Sequence, residues 1–101
     1  MKTSTKKSRG YRITIENMDT ENPKSMQLDV EDREDIFAIV EKLKQGSGLD
    51  EKSATQMGIG LRLLGPLMMQ NRKHPLFTDF MPHFKTFMLN LKKKVKGGVE
   101  Q

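Results

Sequence analysis

Two short segments of strict apolar alternation constrain this chain more than anything else in it. In "YRITIEN" Tyr11, Ile13 and Ile15 alternate with Arg12, Thr14 and Glu16, and in "SMQLDV" Met26, Leu28 and Val30 alternate with Gln27 and Asp29. A period of two is the signature of a strand with one apolar and one wet face. The intervening "MDTENPK" carries Asp, Asn and Pro, the residues of a tight connection, so the two segments read as an antiparallel hairpin. A lone hairpin is marginal in water and needs cover for its apolar face. Everything downstream has helical periodicity. The pattern predicts an α+β fold of order ββααα, an N-terminal antiparallel β-hairpin packed against three α-helices.

The helices have their own punctuation. "EDREDIFAIVEKLKQGSG" places Asp32 as N-cap, Glu34 and Asp35 in the first turn, Lys42 and Lys44 near the end, and Gly46 at the left-handed C-terminal position. Ile36, Ile39, Val40 and Leu43 form its apolar stripe, with Phe37 on the flank. A second cap at Asp50, with Ser53 three residues on, opens a helix whose stripe is Ala54, Met57, Leu61, Leu64 and Met68, running to about Lys73. Gly65-Pro66 interrupts it, but the apolar phase continues across the proline, which favours one kinked helix over a break. Gly58 and Gly60 weaken that helix unless close packing requires them. Met57, Met68 and Met88 fit the core, and Met69 and Met81 fall beside the stripes.

"HPLFTDFMPHF", residues 74–84, holds both histidines, three phenylalanines, Asp79 and two prolines. Arg72, Lys73 and His74 read as the last turn of the second helix, stopped by Pro75. Thr78 or Asp79 caps the third helix, and Pro82 falls in its first turn. Phe80, Phe84, Phe87 and Leu91 make the stripe, with Phe84 and Phe87 toward the core, and the helix runs out in "LKKKVK".

Chemistry is sparse. The chain has no cysteine, which removes disulfides, thiol nucleophiles and thiolate metal sites. A structural zinc needs about four ligands, and two histidines plus Asp79 fall short of that. Arg72, His74, Asp79 and His83 are the residues that could line a pocket, yet no nucleophile is tied to them by a motif. "GIGLRLLG" lacks the Lys-Ser/Thr of a phosphate loop and lies inside a helix pattern, so its glycines suit close helix packing. The expectation is no catalytic residue, no metal and no cofactor.

The formal charge of +5 invites a nucleic-acid reading, so its location decides. Lys2, Lys6, Lys7 and Arg9 crowd one end, and Lys92, Lys93, Lys94 and Lys96 the other, leaving residues 11–91 slightly acidic. Basic ends give weak, salt-sensitive and unspecific contact with polyanions rather than a folded recognition face. No apolar run reaches the length of a membrane span and no secretory leader is present, so the protein reads as soluble and cytoplasmic. Residues 1–9 and 97–101 are expected to be disordered tails around a single domain at 10–96.

"YRITIEN", "EDIFAIVEKL", "GIGLRLLG" and "NRKHPLFTDFMPHFKTFMLNLK", taken in order, resemble a family of short bacterial proteins catalogued as domain of unknown function 3861. The resemblance spans about residues 10–96 and rests on packing motifs. It implies a bacterial origin and the order strand–strand–helix–helix–helix, and it brings no activity and no functional residues. The expected role is a non-enzymatic protein-interaction or regulatory module, with a protein partner or a homodimer. The alternative is a nucleic-acid-associated accessory protein working through the basic tails.

Overall fold

The computed structural model of the chain describes residues 8–99. The elements are β1 (Arg9–Glu16), β2 (Ser25–Asp32), α1 (Ile36–Gly46), α2 (Glu51–Gln70), α3 (Pro75–Thr78) and α4 (Met81–Val99). They fall into two compact units, one ending at Asp35 and the other beginning at Ile36.

The first unit is the antiparallel hairpin, with Ile13 opposite Leu28 and Ile15 opposite Met26. Asn17 closes it with both ends of its side chain. Its Oδ1 accepts from Lys24 N at 2.9 Å and its Nδ2 donates to the Asn22 carbonyl at 3.0 Å. Asp19 Oδ1 accepts from Glu21 N and Asn22 N, folding the loop tip into an Asx turn. β2 ends at Asp32, which is buried and accepts from Glu34 N at 3.0 Å. That bond corrects the expected cap, because Asp32 closes the strand while α1 starts four residues later at Ile36 with no acid in its first turn.

In the second unit α1 packs against both α2 and α4. Leu43, Ala54, Met68 and Met81 are its buried apolar side chains. Burying a Leu or Met side chain stabilises by about 1.5–3 kcal/mol, and half-buried side chains such as Val40, Leu61 and Phe84 add to what Leu43, Met68 and Met81 supply. Close approach comes from glycine. A Cβ on Gly46 would lie 2.7 Å from the Val95 carbonyl oxygen, and one on Gly58 would lie 3.0 Å from both Leu43 Cδ1 and Val40 Cγ2. Gly46 is therefore a helix-contact glycine, not the left-handed residue expected there. That conformation belongs to Gly48, with φ of 86°.

α2 begins as read, with Asp50 Oδ1 accepting from Ser53 N at 3.2 Å, and it continues through Gly65-Pro66 as one helix. It stops at Gln70, so Arg72, Lys73 and His74 lie beyond it rather than in its last turn. Between α2 and α4 the chain forms the one-turn α3, a fourth helix. α4 starts at Met81, with Phe84 N bonded to the Phe80 carbonyl at 2.9 Å, so neither Thr78 nor Asp79 occupies its cap position. Along α4 the less exposed face runs through Met81, Phe84, Met88, Leu91 and Val95, while Phe80 and Phe87 are exposed. The expected stripe was thus one residue out of phase at Phe87, and Met81 belongs to the core.

Of the expected tails, residues 1–7 and 100–101 lie outside the described residues. Arg9 already pairs with Asp32 in β1, and α4 extends through Gly97 to Val99.

Candidate interaction surface

The hairpin has two chemically opposite faces. Gly10, Arg12, Thr14 and Glu16 stand opposite Glu31, Asp29, Gln27 and Ser25 on one of them. This face satisfies itself. Arg12 Nε and Nη2 donate to the two Asp29 carboxylate oxygens at 2.9 and 3.2 Å, and Gln27 Nε2 donates to Thr14 Oγ1 at 3.3 Å. The bond to Asp29 raises the Arg12 pKa further above its already high ordinary value. Both side chains are well exposed, so the pair contributes little stability and serves mainly to keep the face polar and in register. A shallow, solvent-open concavity lies around Gly10, Arg12, Asp29 and Glu31 where glycine leaves a gap in the row.

The other face carries Tyr11, Ile13 and Ile15 against Val30, Leu28 and Met26. Tyr11, Ile13 and Val30 are half-buried, and the Tyr11 hydroxyl donates to the Glu34 carbonyl at 3.2 Å. Toward the loop the face opens, with Ile15 58%, Met26 67% and Leu28 51% exposed. Three large apolar side chains side by side on a pleated surface form a small exposed apolar patch. Alternation alone does not distinguish an apolar face covered within the chain from one presented outward. For that reason the sequence pointed to residues 74–84 and not to this patch.

Arg72, His74, Asp79 and His83 are all exposed. His74 is the N-cap of α3: its Nδ1 accepts from Leu76 N at 3.1 Å, which places the ring proton on Nε2, and the ring lies 5.9 Å from that of Phe77. Asp79 stands at the C-terminus of α3, where its backbone N–H bonds the Phe77 carbonyl. Among the described residues no hydrogen bond or ion pair joins any two of the four. No three His, Cys, Asp or Glu side chains among them are placed to hold a metal ion. The stretch links α2 to α4 through α3, and the rings of Phe80 and Phe84 lie 6.0 Å apart between centroids.

Fold and surface together define an α+β protein with an N-terminal antiparallel hairpin followed by helices, and no described helix is long and apolar enough to cross a membrane. The chain belongs to the family described as "Domain of Unknown Function with solved-structure structure (DUF3861)", whose model matches residues 9–93. It is similar to the crystal structure of a protein of unknown function (eca1910) from Pectobacterium atrosepticum SCRI1043. The two share 33% identity and a TM-score of 0.79, covering 86% of this chain and 99% of that one. No curated protein matches.

Proposed function

We propose that this chain is a non-enzymatic protein-interaction module of the bacterial cytoplasm that engages its partner with the hairpin. The observation that carries the reading is the half-open apolar face, where Ile15, Met26 and Leu28 stand exposed on a sheet that has only two strands among the described residues. A strand edge supplies backbone hydrogen bonds and an adjacent apolar row supplies side-chain contacts, the two ingredients of β-augmentation. The cysteine-free composition suits a reducing compartment.

The test is sedimentation of the tagged chain in extract of the cells that make it, compared with the Ile15→Ser/Leu28→Ser variant. The reading expects wild type to travel well above its 11.6 kDa mass and the variant to fall back toward it. Wild type moving at its own mass, or a variant with unchanged migration, would sink the reading.

A nucleic-acid-associated role is the second reading. It is favoured by Lys92, Lys93, Lys94 and Lys96, which lie exposed on α4 rather than in a tail. Binding of that kind weakens steeply with salt, and a titration with DNA and RNA at two ionic strengths separates it from the first.

A further inference from the structure

The register of the hairpin fixes which backbone groups of β1 face its partner strand and which face outward. Asn17 N donates to the Lys24 carbonyl at 3.0 Å, so these two form a hydrogen-bonded pair. Pairs alternate along an antiparallel ladder, which makes Ile15 with Met26, Ile13 with Leu28 and Tyr11 with Val30 hydrogen-bonded as well. The N–H and C=O groups of Arg12, Thr14 and Glu16 therefore point away from β2. Among the described residues the sheet has two strands, so none of its strands takes these groups.

We infer that this edge pairs with β1 of a second copy of the chain, antiparallel about a two-fold axis at Thr14, giving a four-stranded sheet of order β2-β1-β1-β2. The inference rests on the interaction reading above and names its partner. Charge complementarity selects both strand and register. With the axis at Thr14, Arg12 stands directly opposite Glu16 of the second copy, and the symmetric pair forms on the other side. Each Arg12 then lies between Asp29 of its own chain and Glu16 of the other, so the polar face alternates in sign across the sheet. The outer edge of β2 offers nothing comparable. Its outward residues are Ser25, Gln27, Asp29 and Glu31, with two acids and no cation, and a two-fold axis at Asp29 would set acid against acid. In the β1 register Arg12, Thr14 and Glu16 of both copies form three hydrogen-bonded pairs. On the apolar face Ile13 comes beside Ile15 of the second copy at the closer spacing of a non-hydrogen-bonded pair, which covers part of the exposed Ile15. A sheet of four strands also removes the marginality of an isolated pair.

The chain has no native cysteine, so single cysteines report the register directly. Paired residues at the axis bring Cα atoms to about 5.5 Å, within disulfide reach. Purified Thr14→Cys should oxidise to a covalent dimer, and Gln27→Cys, at the matching place on β2, should not. Thr14→Pro removes an outward amide and the hydroxyl that accepts from Gln27 but none of the backbone bonds to β2, and it should run as a monomer with an unchanged far-ultraviolet circular dichroism spectrum. Glu16→Arg faces Ser25 within its own chain, so the hairpin tolerates it, but it faces Arg12 across the axis and should weaken the dimer roughly tenfold. Purified wild type that sediments as a monomer at every concentration overturns the inference, as does Gln27→Cys linking while Thr14→Cys does not. If the extract experiment still shows a heavy complex in that case, the partner is a different protein and the interaction reading stands. If both fail, both fall.

Discussion

Three helix glycines that look alike in sequence have different surroundings, and replacing each with alanine separates them by sign. In a helix interior alanine is favoured over glycine by about 1 kcal/mol. Gly60 lies on the exposed side of α2, where a new Cβ meets nothing within 4 Å. Gly60→Ala should therefore stabilise by roughly 0.5–1 kcal/mol. At Gly46 the new Cβ would sit 2.7 Å from the Val95 carbonyl oxygen and 2.9 Å from Val95 Cα. Those are backbone atoms of α4, so the helices must separate, and overpacking of that kind costs about 1–3 kcal/mol. Gly46 ends α1, where the propensity gain is smaller, so the net change should be a loss of at least about 1 kcal/mol. Gly58 falls between them, because the ends of Leu43 and Val40 that it would meet at 3.0 Å are side-chain atoms able to yield. Urea unfolding followed by circular dichroism reads all three. With a slope near 1 kcal/mol per molar, Gly60→Ala and Gly46→Ala should move the midpoint in opposite directions by about 0.5–1 M and 1 M or more. An unshifted or raised midpoint for Gly46→Ala would refute the packing of α1 on α4 described above.

Met68 is almost wholly buried, so Met68→Ala should cost about 2–5 kcal/mol by the same unfolding assay. Hydrogen bonds from Ser53 hold the Asp50 carboxyl below its usual pKa, so its contribution is complete above the unfolded carboxylate range and disappears as pH falls through the folded value. Wild type should accordingly lose melting temperature on acidification more steeply than Asp50→Asn, and equal slopes would remove Asp50 from the capping of α2. Asp79→Ala and His83→Ala should each shift stability by less than about 0.5 kcal/mol, and stoichiometric zinc should leave the melting temperature unchanged. A zinc-dependent rise lost in His83→Ala would restore residues 74–84 as a metal site.

What the sequence made legible was periodicity. Both strands, the Asp50 cap and the passage of α2 through Pro66 follow from apolar phase and local hydrogen bonding, which act within a few residues. The misreadings occurred where one residue type serves several ends. Asp32 is as good an Asx turn as an N-cap, and the strand end claims it. Gly46 and Gly48 both suit a helix terminus, and only the approach of Val95 decides that the first is a packing contact and the second takes the positive φ. His74 accepts an amide through Nδ1 as Asp or Ser would, so a one-turn helix forms where a helix end was expected. The phase of α4 follows its true start at Met81, which moves Phe87 outward. The candidate surface was half legible: alternation located the apolar face, but the register that turns amides outward and the exposure of Ile15, Met26 and Leu28 are set by pairing and tertiary structure.

Amide hydrogen exchange along β1 distinguishes inward from outward groups residue by residue, and so reads whether its outer edge is paired. Ile13 and Ile15 should be protected at all concentrations, since they bond to β2. Arg12, Thr14 and Glu16 should gain protection as the concentration rises through dimer formation, while Gln27, Asp29 and Glu31 exchange quickly throughout. Fast exchange of Arg12, Thr14 and Glu16 at every concentration, with Ile13 and Ile15 protected, would show an intact hairpin whose edge stays unpaired and would contradict the dimer.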